Sequence, residues 1–117
     1  MSSKVALGLV TDLFFRSKLE AVAQSLGVEL LYAATLDAAA RHCASRHPAV
    51  VFADLSDAAF PAAETVARIR AGAPDARIVG FASHVDLKPL KAARAAGFDL
   101  TLSRSEFSER LAELLRL

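Results

Sequence analysis

The chain has 117 residues, and its 14 Lys and Arg against 13 Asp and Glu give a formal net charge of +1. That length suits one domain around one hydrophobic core, and the balanced charge gives no reason to expect nucleic acid or an anionic membrane as a partner. No apolar run approaches the roughly 18 residues of a membrane span, the first residues lack a signal peptide's apolar segment, and the one cysteine, Cys43, excludes an internal disulfide. The Ala-, Leu- and Arg-rich composition is compatible with a GC-rich bacterial genome, so we expect a single cytoplasmic domain over residues 1–117.

Apolar runs bounded by turn-forming residues predict five buried strands. In chain order they are 4–10, 28–33, 49–54, 76–82 and 98–102. A segment with helical periodicity follows each run. In the first such segment Phe15, Leu19, Val22 and Leu26 share one helical face, and Gly27 follows where a left-handed C-cap forms.

Capping residues delimit the other four predicted helices. The expected caps and stops are Thr35 for a helix over 36–45, Pro61 and Gly72 for 60–72, Asp86 and Gly97 for 87–96, and Ser105 for a last helix over 106–117. In that last helix an apolar stripe predicts the buried side.

Strands joined by helices of this length must run parallel, with right-handed crossovers and helices on both faces of the sheet. The chain is therefore predicted to be an α/β protein. Its expected architecture is a (βα)5 flavodoxin-like three-layer sandwich, with a parallel five-stranded sheet in the order 2-1-3-4-5. In such a sheet function lies at the carboxyl ends of the strands, so the loops after strands 1, 3, 4 and 5 are the candidate functional region.

The chain resembles the receiver domain of two-component response regulators over essentially its whole length. The resemblance rests on the five-fold alternation, on "VVFADL" (50–55) with Asp54 ending the third strand, and on "AARAAGFDLTL" (92–102) before the last helix. It implies a signal-transduction module of a two-component phosphorelay and not an enzyme.

The resemblance also implies what a working phosphorylation pocket contains. In receivers the aspartate that ends the third strand accepts a phosphoryl group beside a magnesium ion, which is held by a pair of acids after the first strand. A Ser or Thr after the fourth strand and a Lys after the fifth hold the phosphoryl oxygens, and a proline follows the Lys. Asp54 occupies the phosphoacceptor position.

The expected acid pair is missing from the end of the first strand. Val10 and Thr11 stand at its two positions, and the only acid nearby, Asp12, comes one residue later. Asp12 and Asp54 are thus the only candidate metal ligands that the resemblance offers. We expect no cofactor, and magnesium only if the pocket still works.

The phosphoryl-holding positions also depart from the receiver pattern. Ala82 stands at the Ser/Thr position with Ser83 beside it, Arg104 replaces the Lys, and Ser105 replaces the proline. Thr101 stands at the position of the aromatic switch on the fifth strand. Arg104 keeps the positive charge, but its planar fork is not interchangeable with a compact ammonium.

Three functions follow from this partial match. Asp54 paired with Arg104 would give a pseudo-receiver that works without phosphorylation, through protein–protein contacts, and this is the function we expect. The first alternative is a working phosphoacceptor, with Asp12 as a metal ligand. The second is a flavodoxin-like small-ligand binder, although the chain has no Trp and only Tyr32 for stacking a flavin.

The expected partner is a protein: a histidine kinase, a downstream effector or a second copy of the chain. In receivers the face formed by the fourth helix, the fifth strand and the last helix is a common interface. The charged residues predicted on this face are Lys88, Lys91 and Arg94 on the fourth helix and Glu106, Glu109 and Glu113 on the last. Opposite charges of this kind would pair across a two-fold axis, and a solvated face explains them equally well.

Overall fold

A computed structural model describes residues 4–83 and 87–116. The strands are Val5–Leu9 (β1), Glu29–Tyr32 (β2), Val50–Asp54 (β3), Arg77–Ala82 (β4) and Leu100–Ser103 (β5). The helices are Leu13–Leu26 (α1), Leu36–Arg46 (α2), Ala62–Gly72 (α3), Lys88–Ala96 (α4), Arg104–Glu109 (α5) and Leu111–Leu115 (α6). No helix within the described ranges is both long and apolar enough to span a membrane.

All strand pairs are parallel, and the sheet order is β2-β1-β3-β4-β5, as the sequence predicts. β3 lies in the middle of the sheet and is buried along its whole length. Its last residue, Asp54, is in register with Phe81 on β4. The central strand β3 therefore ends with the carboxylate of Asp54 at the carboxyl edge of the sheet.

Three predicted caps are confirmed. The Thr35 side chain accepts a hydrogen bond from the Ala38 N–H at the start of α2. Gly27 and Gly97 end α1 and α4 with φ of 69° and 106°, the left-handed region that favours glycine. The predicted cap Asp86 lies outside the described residues.

The predicted cap of the last helix is wrong by two residues. Ser103, not Ser105, caps α5, and it does so in a capping box in which the Ser103 hydroxyl and the Glu106 carboxylate each accept the other residue's backbone N–H. The box starts the helix at Arg104. The last helix is also divided at Arg110, where φ is −102°, although the apolar stripe continues through both parts.

The predicted ends of α3 also need correction. Pro61 is the N-cap and not part of the helix, and Gly72 is the last helical residue instead of following it. A Cβ at Gly72 would lie 2.9 Å from the backbone nitrogen of Ala44 in α2, closer than real Cβ atoms come. Gly72 is thus required because two helices approach each other closely there, and not because the chain turns.

Two hydrophobic clusters cover the two faces of the sheet. We call the side covered by α1, α5 and α6 the aromatic face, because its buried cluster contains Phe15, Phe52, Phe81 and Phe107. We call the side covered by α2, α3 and α4 the alanine face, because alanines recur in its cluster. They are Ala33, Ala39, Ala53, Ala73, Ala76 and Ala93.

Candidate functional site

Asp54 ends β3 at the carboxyl edge of the sheet, with only 5% of its surface exposed. Its Oδ1 accepts hydrogen bonds from the Ser56 N–H, at 3.0 Å, and from the Ser56 hydroxyl. Its Oδ2 accepts one from Arg104 Nη2 at 3.1 Å. Both oxygens of this nearly buried carboxylate therefore have donors, as a buried charge requires.

Arg104 is the first residue of α5, and the Ser103 capping box fixes where that helix begins. Its guanidinium carbon lies 4.8 Å from the ring centroid of Phe15, a cation–π contact. While Nη2 binds Asp54, Nη1 lies 3.9 Å from Asp12 Oδ2. The ion pair predicted between Arg104 and Asp54 is thus formed, and the same guanidinium also reaches the second acid of the pocket.

Asp12 is the N-cap of α1. Its Oδ1 accepts hydrogen bonds from the N–H groups of Phe14, at 2.8 Å, and Phe15, at 3.4 Å. A carboxylate at this position satisfies orphan donors and complements the positive end of the helix dipole. Asp12 Oδ2 faces Arg104, whereas Asp12 Oδ1 serves the helix. An Asp directly before a helical stripe was the sequence signal for this cap.

The loops after β1 and β3 are joined by a hydrogen bond that was not predicted. The Thr11 hydroxyl donates to Asp57 Oδ2 at 3.0 Å, while Asp57 Oδ1 accepts the Ala59 N–H at 2.9 Å. Thr11 therefore lies at the pocket, but its hydroxyl is directed across it to the β3–α3 loop. No local sequence pattern shows a bond between residues so far apart in the chain.

The remaining predicted pocket positions are apolar or peripheral. Val10, at one expected acid position, is fully buried in the core of the aromatic face. Ala82 is buried at the end of β4, in register with Ser103, and has no hydroxyl to offer. Ser83 follows it on the surface.

Asp12 and Asp54 are brought together around one cation, the guanidinium of Arg104. In residues 4–83 and 87–116 no three His, Cys, Asp or Glu side chains form a group that would hold a metal ion. Within these ranges, the two carboxylates that face the guanidinium are therefore not joined by a third such side chain.

Three of the predicted interface charges on α4, α5 and α6 form hydrogen bonds within the chain. Arg94 Nε donates to Thr101 Oγ1 at 2.8 Å. The pKa of Glu106 is lowered because the Ser103 backbone and hydroxyl donate to it, and that of Glu113 is lowered by its hydrogen bond from Arg110.

The other charges predicted on this face are all exposed. They are Lys88, Lys91 and Glu109. The face is therefore charged and largely exposed. Whether it binds a partner stays a prediction.

No protein-family model and no curated protein matches this chain. Solved structures do match it in fold. The receiver domain of a sensor histidine kinase from Pseudomonas aeruginosa, with a magnesium ion coordinated in its active site cleft, aligns with a TM-score of 0.77 at 16% identity, covering 99% of this chain and 100% of that one. A response regulator from Hahella chejuensis aligns at 0.84 with 15% identity, covering 97% and 93%.

A chemotaxis response regulator of Vibrio cholerae, CheY4, aligns at 0.80 with 17% identity, covering 98% of each chain. Such identities establish the fold alone. The protein therefore has the flavodoxin-like fold of response-regulator receiver domains, the CheY-like fold of two-component systems. The resemblance found in the sequence is confirmed at the level of the fold.

Proposed function

We propose that this chain is a receiver-like signalling module of the cytoplasm that acts through protein–protein contacts, without phosphorylation and without enzymatic activity. One observation carries the proposal: the Arg104 guanidinium is bound to Asp54 Oδ2 at 3.1 Å and lies 3.9 Å from Asp12 Oδ2. A cation of the chain itself thus occupies the side of both acids that a metal ion would need.

The residues present do not fit a magnesium site. Magnesium demands near-octahedral oxygen coordination at about 2.0–2.1 Å and is held through carboxylates. Here one Asp12 oxygen caps α1, one Asp54 oxygen accepts from Ser56, and the two remaining oxygens face Arg104. A dication placed between them would meet the positive guanidinium, and the two cations would repel each other.

The environment of Asp54 also offers little to a phosphoryl group. Transfer to a carboxylate gathers several negative charges, which need preorganised donors and a metal ion. Ala82 has no donor at the position after β4, and Val10 is apolar at the position after β1. Arg104 is a strong donor there, but it already binds the carboxylate that would be modified.

The alternative is a phosphoacceptor that a histidine kinase charges through Asp54. Two observations support this alternative: Asp54 ends β3, and the similar P. aeruginosa receiver domain holds a magnesium ion in its active site cleft. For the flavodoxin-like ligand binder, the fold is the supporting observation. A colourless purified protein that releases no nucleotide on denaturation would count against it.

The deciding experiment is an amide NMR titration of the labelled protein with magnesium, followed by beryllium fluoride as a phosphoryl mimic. Asp54→Ala is the control. We expect no saturable shifts around residues 10–12, 54–57 and 103–104, because Arg104 holds the pocket. Saturable shifts that vanish in Asp54→Ala would make the phosphoacceptor the correct function.

An Arg104→Lys variant sharpens this experiment, because it restores the residue type expected at that position in receivers. A lysine lacks the guanidinium fork that engages both acids. Shifts that appear with magnesium only in Arg104→Lys would identify Arg104 as the cause of metal independence. If magnesium shifts no resonances in either protein, the missing acid at Val10 is the reason that the pocket does not bind magnesium.

The proposed contact surface of a homodimer is the face of α4, β5 and the last two helices. Lys91 and Arg94 are exposed there, opposite in sign to Glu109. If a symmetric dimer uses this face, Lys91→Glu with Arg94→Glu shifts the sedimentation coefficient toward the monomer. A profile that the double variant leaves unchanged argues against this dimer.

A further inference from the structure

A cleft opens at the amino edge of the sheet, opposite the edge that carries Asp54. Its volume is about 660 Å³, a size typical of small-molecule sites. Residues 47–49, between α2 and β3, form one wall, and residues 72–77, from the end of α3 to the start of β4, form the other. We call this feature the amino-edge cleft. Its lining shares no residue with the site around Asp54.

The buried residues of the lining are apolar. Pro48, Ala73 and Ala76 are buried, whereas Pro74 is exposed at the rim. Proline rings and alanine methyl groups offer no hydrogen bonds, so they favour the apolar or ring-shaped body of a ligand. The close contact of Gly72 with α2 joins the ends of α2 and α3 and thereby fixes the two walls relative to each other.

Three backbone carbonyls of the lining already accept from donors of the chain itself. Arg70 Nη1 donates to the Pro74 carbonyl, at 3.1 Å, and to the Ala76 carbonyl. The Gly72 carbonyl lies 3.2 Å from His47 Nδ1. Free carbonyls would attract a cation or a ligand rich in donors. Because these three are engaged, the cleft has less attraction for such a ligand.

Arg77 gives the cleft an uncommitted positive charge. Its side chain forms no ion pair or hydrogen bond with any residue of 4–83 or 87–116. Lys4 lines an adjoining cavity of about 480 Å³ and likewise has no ion pair within these ranges. Asp75 also lines the cleft and is exposed. The two cations outweigh this carboxylate, so the cleft favours an anionic ligand, and a guanidinium can bind a carboxylate through two parallel hydrogen bonds.

His47 offers the cleft an acceptor. Because a carbonyl can only accept, the contact with Gly72 assigns the hydrogen of the neutral imidazole to Nδ1 and leaves Nε2 as an acceptor. Among the described residues, His47 is also the only one other than glycine with a positive φ, 46°. Glycine makes such a turn without strain, so the turn alone does not explain an imidazole here. Strained residues of this kind cluster at ligand-binding sites.

We propose that the amino-edge cleft binds a small hydroxylated organic acid. Its carboxylate binds Arg77, its hydroxyl donates to His47 Nε2, and its ring or other apolar body packs against Pro48 and Pro74. The proposal goes beyond the signalling function, because it adds a ligand site at the opposite edge of the sheet from Asp54. A bound acid would also stabilise the folded chain, since it binds only where the two walls are assembled.

Amide NMR of the labelled full chain tests the proposal with three matched probes. The first, 4-hydroxybenzoate, has a ring, a carboxylate and a hydroxyl; benzoate lacks the hydroxyl, and 4-hydroxybenzylamine has an ammonium group in place of the carboxylate. We expect saturable shifts over residues 47–49 and 72–77 with 4-hydroxybenzoate at millimolar concentration. Benzoate should bind about fivefold more weakly, the scale of one hydrogen bond. The amine should bind about tenfold more weakly or less still.

Three substitutions assign the contacts. Arg77→Gln should weaken 4-hydroxybenzoate about tenfold, because it removes the guanidinium. His47→Gly keeps a residue suited to a positive φ and should abolish the preference for 4-hydroxybenzoate over benzoate. Asp75→Asn should strengthen the binding of 4-hydroxybenzoate about twofold, because a like charge is removed. Lys91→Gln on α4 also removes one exposed positive charge and is the matched control, which should bind all probes unchanged. Unchanged circular dichroism will show that the variants fold.

Several results would overturn the proposal. These are no saturable shifts with 4-hydroxybenzoate, equal or tighter binding of 4-hydroxybenzylamine, and shifts confined to residues 10–12, 54–57 and 103–104. Weaker binding in Asp75→Asn would show that the cleft takes a cation, and binding that Arg77→Gln leaves unchanged would remove the carboxylate contact. The proposed function fails separately, through beryllium fluoride shifts that Asp54→Ala abolishes, so each idea can fall while the other stands.

Discussion

The two faces of the sheet are packed in different ways. On the aromatic face, Phe81 and Phe107 stack with their centroids 4.1 Å apart, and Phe52 and Phe15 lie at 5.4 and 6.1 Å from Phe107. On the alanine face, small side chains bring backbones together, most closely where Gly72 of α3 meets Ala44 of α2. Large side chains fill the first face, whereas the second combines large side chains such as Phe60 and Ile69 with alanines and a glycine at close helix contacts.

The difference shows why the pocket is built as it is. Arg104 extends from α5 over the edge of the aromatic face and rests on Phe15, whose ring is held by Phe81 and Phe107. A rigid aromatic shelf therefore supports the cation that binds Asp54. Among the described residues, the alanine face contributes close packing between helices.

The largest effect should come from removing the centre of the aromatic face. Phe107→Ala deletes a fully buried ring that touches three others, and we expect it to lower the free energy of unfolding by about 3–5 kcal/mol. Urea denaturation measures this. Phe14→Ala, at an exposed ring, is the matched control and should change the free energy by less than about 0.5 kcal/mol. A loss below about 1 kcal/mol in Phe107→Ala would mean that the face tolerates cavities.

The alanine face should respond to the opposite change, an added atom. Gly72→Ala places a Cβ 2.9 Å from the Ala44 nitrogen, and we expect overpacking to lower the free energy of unfolding by about 1–3 kcal/mol. The sign is decisive, because Gly→Ala in an unobstructed helix stabilises by about 1 kcal/mol. Any gain in the midpoint of urea unfolding would refute close packing of α2 against α3.

The ion pair on the aromatic shelf comes next. Arg104→Ala leaves Asp54 nearly buried without its cation, but the Arg104 side chain is 38% exposed, so solvent screens part of the loss. We expect Arg104→Ala to lower the free energy of unfolding by about 1–2 kcal/mol. In a double-mutant cycle with Asp54→Ala, the coupling energy should be about 1 kcal/mol. Arg68→Ala, which breaks an exposed pair with Asp37, is the control and should leave the urea midpoint unchanged. Additive effects of the two pocket substitutions would mean that the pair does not stabilise the fold.

The smallest effect concerns Tyr32, which packs at the margin of the aromatic face. Partial burial, aided by Glu20, raises its pKa to about 12 from 10.0. The folded state therefore favours the neutral phenol, so the contribution of Tyr32 to stability is fully present below pH 10 and is lost as the pH rises toward 12. Because Tyr32 is the only tyrosine, its ultraviolet absorbance gives the pKa directly. Tyr32→Phe should remove this part of the pH dependence, and a titration near pH 10 would contradict the burial.

Much of the fold follows from local rules that the sequence displays. Alternating apolar runs and helical stripes predict parallel strands, and parallel strands with short connections leave few topologies. Thr35, Gly27 and Gly97 are predictable caps because their local chemistry is sufficient. The prediction that Gly72 follows the end of α3 is wrong. A glycine after an apolar stripe has the same local sequence pattern whether it ends a helix or allows a second helix to pack closely against it.

The pocket was predictable only in part. The Arg104–Asp54 pair was predicted from the resemblance to receivers, which assigns both residues to the pocket. The Asp12 cap was not predicted, although an Asp directly before a helical stripe is a typical N-cap. Ser103 competes with Ser105 for the same helix, and only the reciprocal bond with Glu106 separates them. The bond between Thr11 and Asp57 depends on tertiary structure alone.

The guanidinium beside Asp54 has one further consequence. A metal ion must be recruited from solution at its own affinity, whereas a counter-ion tethered to the same chain is present in every molecule at a high effective concentration. Arginine also stays protonated throughout the physiological pH range. The positive charge that balances Asp54 is thus part of the chain itself. A chelator cannot remove it, and a change in magnesium concentration does not alter it.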